Sequence, residues 1–124
     1  MGLFGNSKNP EDYVYQGIAM LQDKKPKVAV NLFKKALKSD PKNVTALYNQ
    51  GLALNQMRKY QDAITCFDKV IEINPEDSPS YNNRAIAMAE LGDTDEALEW
   101  YDKAIKADGK YAPAHYNKGV LLDK

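Results

Sequence analysis

The chain has 124 residues, with seventeen Lys and Arg against seventeen Asp and Glu and no net charge at neutral pH, which bounds it to one domain or part of one and offers no basic excess for gripping nucleic acid. A single Cys66 excludes an internal disulfide framework, and one histidine with one cysteine assembles no metal, nucleophile or nucleotide-cradling constellation, so neither an enzyme nor a cofactor is expected. No stretch reaches the roughly 18 apolar residues of a membrane span, and the start lacks the basic and apolar run of a secretory signal, so the expected location is cytoplasmic.

Residues 1–9 read as a flexible lead. Gly2 invites N-myristoylation, but Asn6 stands where that motif needs Ser or Thr, and acylation is not expected. Asn9 before Pro10 looks like an N-cap for a helix over 11–23, and Pro26 opens a second over 27–39. Asn43 caps a helix over 44–57. The next, over 61–74, sets Ala63, Ile64, Phe67, Val70 and Ile71 on one face and Asp62, Asp68, Lys69 and Glu72 on the other. Cys66 on that helix reads as a small, partly buried residue, since no histidine or cationic cluster adjoins it. Ser78 before Pro79 is the expected cap of a helix over 78–91. Gly92 followed by Asp93 and Glu96 resembles a helix stop and a capping-box restart for 94–107. The acids Asp93, Asp95, Glu96 and Glu99 suit a helix start and need no catalytic role. A last helix spans 112–123.

Charge is spread unevenly along this series. Residues 1–43 hold eight lysines against four acids, residues 44–109 six basic against twelve acidic side chains, and residues 110–124 three against one. Solvated helix faces account for most of this; the sharper reading is a basic first segment attracting the acidic middle of another molecule.

Shifted by 34 residues, the chain falls on itself. Ala29, Ala63 and Ala97 align, as do Phe33, Phe67 and Tyr101, then Ala36, Val70 and Ala104. Gly17, Gly51, Ala85 and Gly119 form a column of small residues, preceded by Tyr13, Leu47, Tyr81 and His115, where His115 reads as an aromatic filler. Pro41 and Pro75 close two of the units. Small residues let helices approach and aromatics fill the space between them.

These columns resemble the tetratricopeptide repeat. The resemblance covers whole units at residues 10–43, 44–77 and 78–111, and the first helix of a fourth unit or a terminal cap at 112–124. Gly109, standing where a third proline would fall, departs from the pattern and is expected to loosen the last junction. The resemblance implies an all-α, right-handed superhelical array of antiparallel helix pairs that binds other proteins without enzymatic activity. In such arrays the first helix of every unit lines a concave surface, which implies a peptide-binding set of Tyr15, Ile18, Tyr48, Asn49, Leu52, Asn82, Asn83, Ile86, Tyr116 and Asn117.

Asn49, Asn83 and Asn117 form one column, and a carboxamide with two donors and an acceptor suits the backbone of an extended peptide. The plainer reading is that they brace neighbouring helices. Family members that hold acidic chaperone tails use a clamp of Lys, Arg and Asn; the corresponding positions here are Val14, Ile18, Asn49, Pro79 and Asn83, or one unit on Tyr48, Leu52, Asn83, Pro113 and Asn117. Only asparagine survives in either frame, which disfavours chaperone-tail binding. Protein or peptide partners are expected, with neither nucleic acid nor membrane. The chain stops at Lys124, one helix into a fourth unit, with Val120, Leu121 and Leu122 expected to lack cover. A longer array, a rough cap and a scaffold self-associating through this terminal helix compete there; the first is expected, because a cap should show a more polar outer face.

Overall fold

The computed structural model describes residues 9–124; the lead and the Gly2 question fall in residues 1–8, outside the described residues. Every described element is helical: α1 (Pro10–Gln22), α2 (Pro26–Ser39), α3 (Val44–Gln56), α4 (Tyr60–Ile73), α5 (Ser78–Glu90), α6 (Thr94–Ala107) and α7 (Ala112–Leu122). These bounds agree with the sequence expectations to within a residue at each end.

Local chemistry sets the starts. The Asn9 side chain accepts from the Asp12 amide, Asn43 from Ala46 and Asp93 from Glu96, each satisfying an amide without an intrahelical acceptor. The cap of α5 corrects the sequence expectation, because Asp77 replaces Ser78. Its carboxylate accepts from the Ser80 amide at 3.2 Å and the Ser80 hydroxyl at 2.6 Å. Ser78 instead sits inside the first turn and donates its hydroxyl to the Ala104 carbonyl of α6 at 2.7 Å. The charged acceptor is the stronger cap, which frees the buried serine to tie two helices together.

Within each pair the turn places one residue in the left-handed region, at Lys24 (φ 59°), Arg58 (φ 61°) and Gly92 (φ 91°). These positions are one repeat apart, and only the third holds the residue that adopts this conformation without steric cost.

The pairs α1/α2, α3/α4 and α5/α6 pack antiparallel, and each second helix also packs on the first helix of the next pair. The helices α1, α3, α5 and α7 touch in succession, whereas α2, α4 and α6 do not touch one another. The row of first helices is therefore the inside of a curved superhelical array, and the second helices are splayed on its outside.

Between the rows lies the core. Ala29, Ala63 and Ala97 are wholly buried, as are Phe33 and Phe67, with Tyr101 nearly so. A Cβ at Gly17 would lie 2.5 Å from Phe33 Cε1, and one at Gly51 2.6 Å from Phe67 Cε1, so the ring of each second helix occupies the place of a side chain on the first. On the outside, the Arg84 guanidinium stacks over Trp100 at 3.7 Å and pairs through Nε with Asp68 at 2.7 Å, linking α4, α5 and α6.

The last helix departs from the column logic in two ways. His115 is exposed and fills no gap; its Nε2 lies 2.8 Å from the Gly109 carbonyl, which can only accept and so fixes the ring proton there. Leu121 is covered, packing on the cluster of Ala85, Ala97 and Tyr101, while Val120 and Leu122 remain exposed. A Cβ at Gly119 would meet nothing within 4 Å among the described residues. The Gly109 carbonyl thus bridges the last junction to α7 through His115.

Candidate peptide-binding groove

The inner face is built from side chains that the α1, α3, α5 and α7 backbones turn away from α2, α4 and α6. Near its N-terminal end Glu11, Val14, Tyr15, Ile18, Asn43 and Thr45 enclose a recess of about 270 Å³ between α1 and α3. Val14 is buried and Ile18 half-buried, forming an apolar floor, while Tyr15 stands 73 % exposed as a wall. Adjoining it, Val44, Thr45, Tyr48, Asn49, Val70 and Asp77 enclose a second recess of about 200 Å³. Thr45 lies on the ridge between them.

Tyr48 is held from both sides. Its ring meets Phe67 edge-on with centroids 5.9 Å apart, and its hydroxyl oxygen accepts from Asn83 Nδ2 at 3.0 Å. Burial, followed by the neighbouring Tyr111 phenol and Asp77 carboxylate, pushes the Tyr48 phenol up to about 12, partly offset by the Asn83 hydrogen bond. The phenol is therefore neutral at physiological pH. Tyr111 is raised for the same reasons, burial first and Asp77 second.

The expected asparagine column divides. Asn49 donates only to the Thr45 carbonyl of its own helix, at 2.8 Å, because the residue one unit back that would meet it is Val14. Asn83 donates to Pro79 O at 2.8 Å as well as to Tyr48. Asn117 donates to Asn82 Oδ1 at 3.1 Å, and Asn82 is only 4 % exposed. Asn83 and Asn117 thus bridge successive first helices. Leu52 is half-buried and packs against the core cluster that holds Val14 and Leu54, and lines none of these recesses. Beyond them Ile86, Glu90, Asn117, Val120 and Lys124 edge a further recess of about 200 Å³, with Tyr116 72 % exposed nearby. Asn55 reaches from α3 to the Asn83 carbonyl at 3.4 Å, and its buried Oδ1 has no partner among the described residues.

Elsewhere the chemistry is quiet. Cys66 lies on α4, buried, and its thiol donates to Gln50 Oε1 at 3.4 Å. Burial pushes the thiol up to about 11, which keeps it protonated and unreactive at neutral pH. Among the described residues no group of His, Cys, Asp and Glu could hold a metal ion, and no helix is long and apolar enough to cross a membrane.

Comparison with known proteins agrees with this architecture. The structure is similar to that of YrrB, a TPR protein with an unusual peptide-binding site, at a TM-score of 0.89 and 22 % identity over 94 % of this chain, which spans 60 % of YrrB's length. It is similar to the first TPR of Spaghetti (RPAP3) bound to the HSP90 peptide SRMEEVD, at 0.87 and 18 % identity, covering 95 % of this chain and 94 % of that one. It is also similar to the Sgt2 TPR domain from Aspergillus fumigatus, at 0.86 and 21 % identity, covering 92 % and 77 %. No curated protein matches the chain. Three tetratricopeptide family models match in series, over residues 44–77, 66–99 and 87–124. With the repeating columns, the seven helices and the curved inner row, these matches identify the chain as a member of the tetratricopeptide repeat family.

Proposed function

We propose that the protein is a non-enzymatic, cytoplasmic adaptor that holds a short peptide segment of a partner protein along the row of α1, α3, α5 and α7. The observation that carries this reading is the repetition of one recess along that row. Glu11, Val14, Tyr15 and Asn43 of the first correspond, one repeat on, to Thr45, Tyr48, Asn49 and Asp77 of the second. Repetition suits an extended ligand, whose alternate side chains present themselves at regular intervals. Rigid tyrosines supply contact area of the kind enriched at binding hot spots, and Asn49, whose Oδ1 accepts nothing among the described residues, is free to meet a peptide amide. The chaperone-tail clamp is not part of this reading, since none of its positions holds Lys or Arg in either frame: they are Val14, Ile18, Asn49, Pro79 and Asn83, or Tyr48, Leu52, Asn83, Pro113 and Asn117. YrrB and Spaghetti, which share the fold, are described as peptide-binding. A random-peptide display selection tests the proposal, repeated with a Tyr15→Ala, Asn49→Ala variant of unchanged melting temperature. A motif recovered by the wild type and lost by the variant is expected; no enrichment, or enrichment indifferent to the change, refutes groove binding.

A second reading is a scaffold that self-associates through α7. It is favoured by the bare surface over Gly119, flanked by Val120 at 42 % and Leu122 at 62 % exposure. Leu122→Glu is the clean probe, because Leu121 packs on the Ala85, Ala97 and Tyr101 cluster and its loss would also disturb that packing. Sedimentation should show an oligomer that the variant dissociates, and a wild-type monomer at high concentration removes this reading.

A further inference from the structure

We infer that the segment held in the groove is cationic: an extended peptide that lays an apolar side chain over Val14 and Ile18 and sets Lys or Arg side chains beside Glu11 and Asp77. This rests on the groove reading above and adds the chemistry of its ligand.

Each of the two equivalent recesses carries a single carboxylate, Glu11 in the first and Asp77 in the second, and neither is lined by Lys or Arg. Every ion pair among the described residues lies elsewhere, at Lys25–Asp23, Arg84 with Asp68 and Glu96, and Lys118–Asp102. Asp77 commits only Oδ2 to capping α5, so Oδ1 is left for a ligand. Glu11 makes no hydrogen bond or ion pair with the described residues. The negative potential does not continue along the groove. One repeat beyond Asp77 stands the neutral Tyr111, the amide bridge from Asn117 to Asn82 crosses that junction, and in the last recess Lys124 offsets Glu90.

A ligand lying against both recesses therefore meets two unpaired carboxylates beside a partly desolvated apolar floor, where charge complementarity sets specificity and steers association. The aliphatic stem of Lys or Arg also suits this surface, since it covers apolar ground while the head reaches a carboxylate. A peptide such as SRMEEVD, acidic toward its end, would bring its carboxylates toward Glu11 and Asp77 instead.

The test is a random-peptide display selection on the full chain, followed by fluorescence-anisotropy titration of the leading peptide and of its Lys/Arg→Gln version at low and physiological salt. The protein variants are Glu11→Gln and Asp77→Asn, the latter retaining a capping side chain, each checked for an unchanged melting temperature. Enriched peptides rich in Lys or Arg are expected, with affinity falling as salt rises. Each variant should weaken binding roughly two- to fivefold, the range of an exposed ion pair, and the two together about tenfold. Neutral or acidic peptides that still require Tyr15 and Asn49 would overturn the cationic ligand and leave groove binding standing. Cationic peptides indifferent to Glu11→Gln and Asp77→Asn would overturn it too, as nonspecific attraction. An absence of any enriched peptide would remove the groove reading and this inference together.

Discussion

Three glycines separate three physical causes, and alanine should stabilise at one of them and not at the other two. In a helix interior Gly→Ala stabilises by about 1 kcal/mol through the chain entropy that glycine loses on folding. At Gly119 that gain stands alone, because the residue is helical and a new Cβ meets nothing within 4 Å. At Gly51 the methyl would lie 2.6 Å from Cε1 and Cζ of Phe67, a wholly buried ring whose edge contact with Tyr48 leaves it nowhere to move. Overpacking of this kind costs about 1–3 kcal/mol, so the net change is about 0–2 kcal/mol of destabilisation. At Gly92 there is room, but φ is 91°, and an L-residue held there loses about 1 kcal/mol net. Thermal and urea unfolding of the three variants should place Gly119→Ala above the wild type and the other two at or below it. At about 4 °C per kcal/mol for a chain of this size, Gly119→Ala and Gly51→Ala should differ by roughly 4–12 °C in Tm. Replacing Phe67 by Leu should turn Gly51→Ala favourable while leaving the Gly92→Ala penalty unchanged. Refutation would come from Gly51→Ala raising Tm as Gly119→Ala does, since the ring would then not be filling the glycine's space.

Burial, with Glu90 adding to it, pushes the Tyr101 phenol up to about 12 from the value of 10 in an unfolded chain. The folded state holds that proton more tightly, so its stabilisation is complete below about pH 10 and declines as pH rises toward 12; urea midpoints should fall across that window, and less steeply in Tyr101→Phe. Arg84→Ala removes the stack on Trp100 and the tie to Asp68; it should cost about 1–2 kcal/mol in urea unfolding and red-shift the fluorescence of the single tryptophan. Ser78→Ala deletes the buried hydroxyl that donates to the Ala104 carbonyl, and should lower stability by about 1 kcal/mol without altering helix content by circular dichroism.

The architecture was legible because its determinants repeat. An alanine wholly buried at 29, 63 and 97 and a ring at 33, 67 and 101 declare themselves three times at one interval, so the same packing problem is posed and solved in each pair. Features set by one local competition were harder to read. Asp77 and Ser78 are both good caps; the charged Asp77 takes the role, and Ser78 instead reaches the Ala104 carbonyl of another helix, a contact that no local pattern announces. The left-handed turn residues at 24 and 58 carried no signal, since Lys and Arg hold the position that Gly92 marks in the third pair. His115 sat in an aromatic column but faces solvent, because the column's packing depends on a neighbour that α7 does not have among the described residues.

The asparagines show why the groove resisted a repeat-by-repeat reading. Asn49, Asn83 and Asn117 are identical in sequence register, yet the partner each meets lies one position earlier in the preceding unit, and that position changes from Val14 to Tyr48 to Asn82. A valine offers no acceptor, a tyrosine offers a hydroxyl and an asparagine offers a carbonyl oxygen. The amides at 83 and 117 are consequently drawn into bridges of 3.0 and 3.1 Å, and only the one at 49 keeps to its own helix. An asparagine in this column is therefore a brace where the preceding unit supplies a polar atom, and leaves its Oδ1 without a partner among the described residues where it supplies an aliphatic one. Val14, standing where the later units hold Tyr48 and Asn82, also lines the first recess, so the unbridged Asn49 and the apolar floor arise from the same residue.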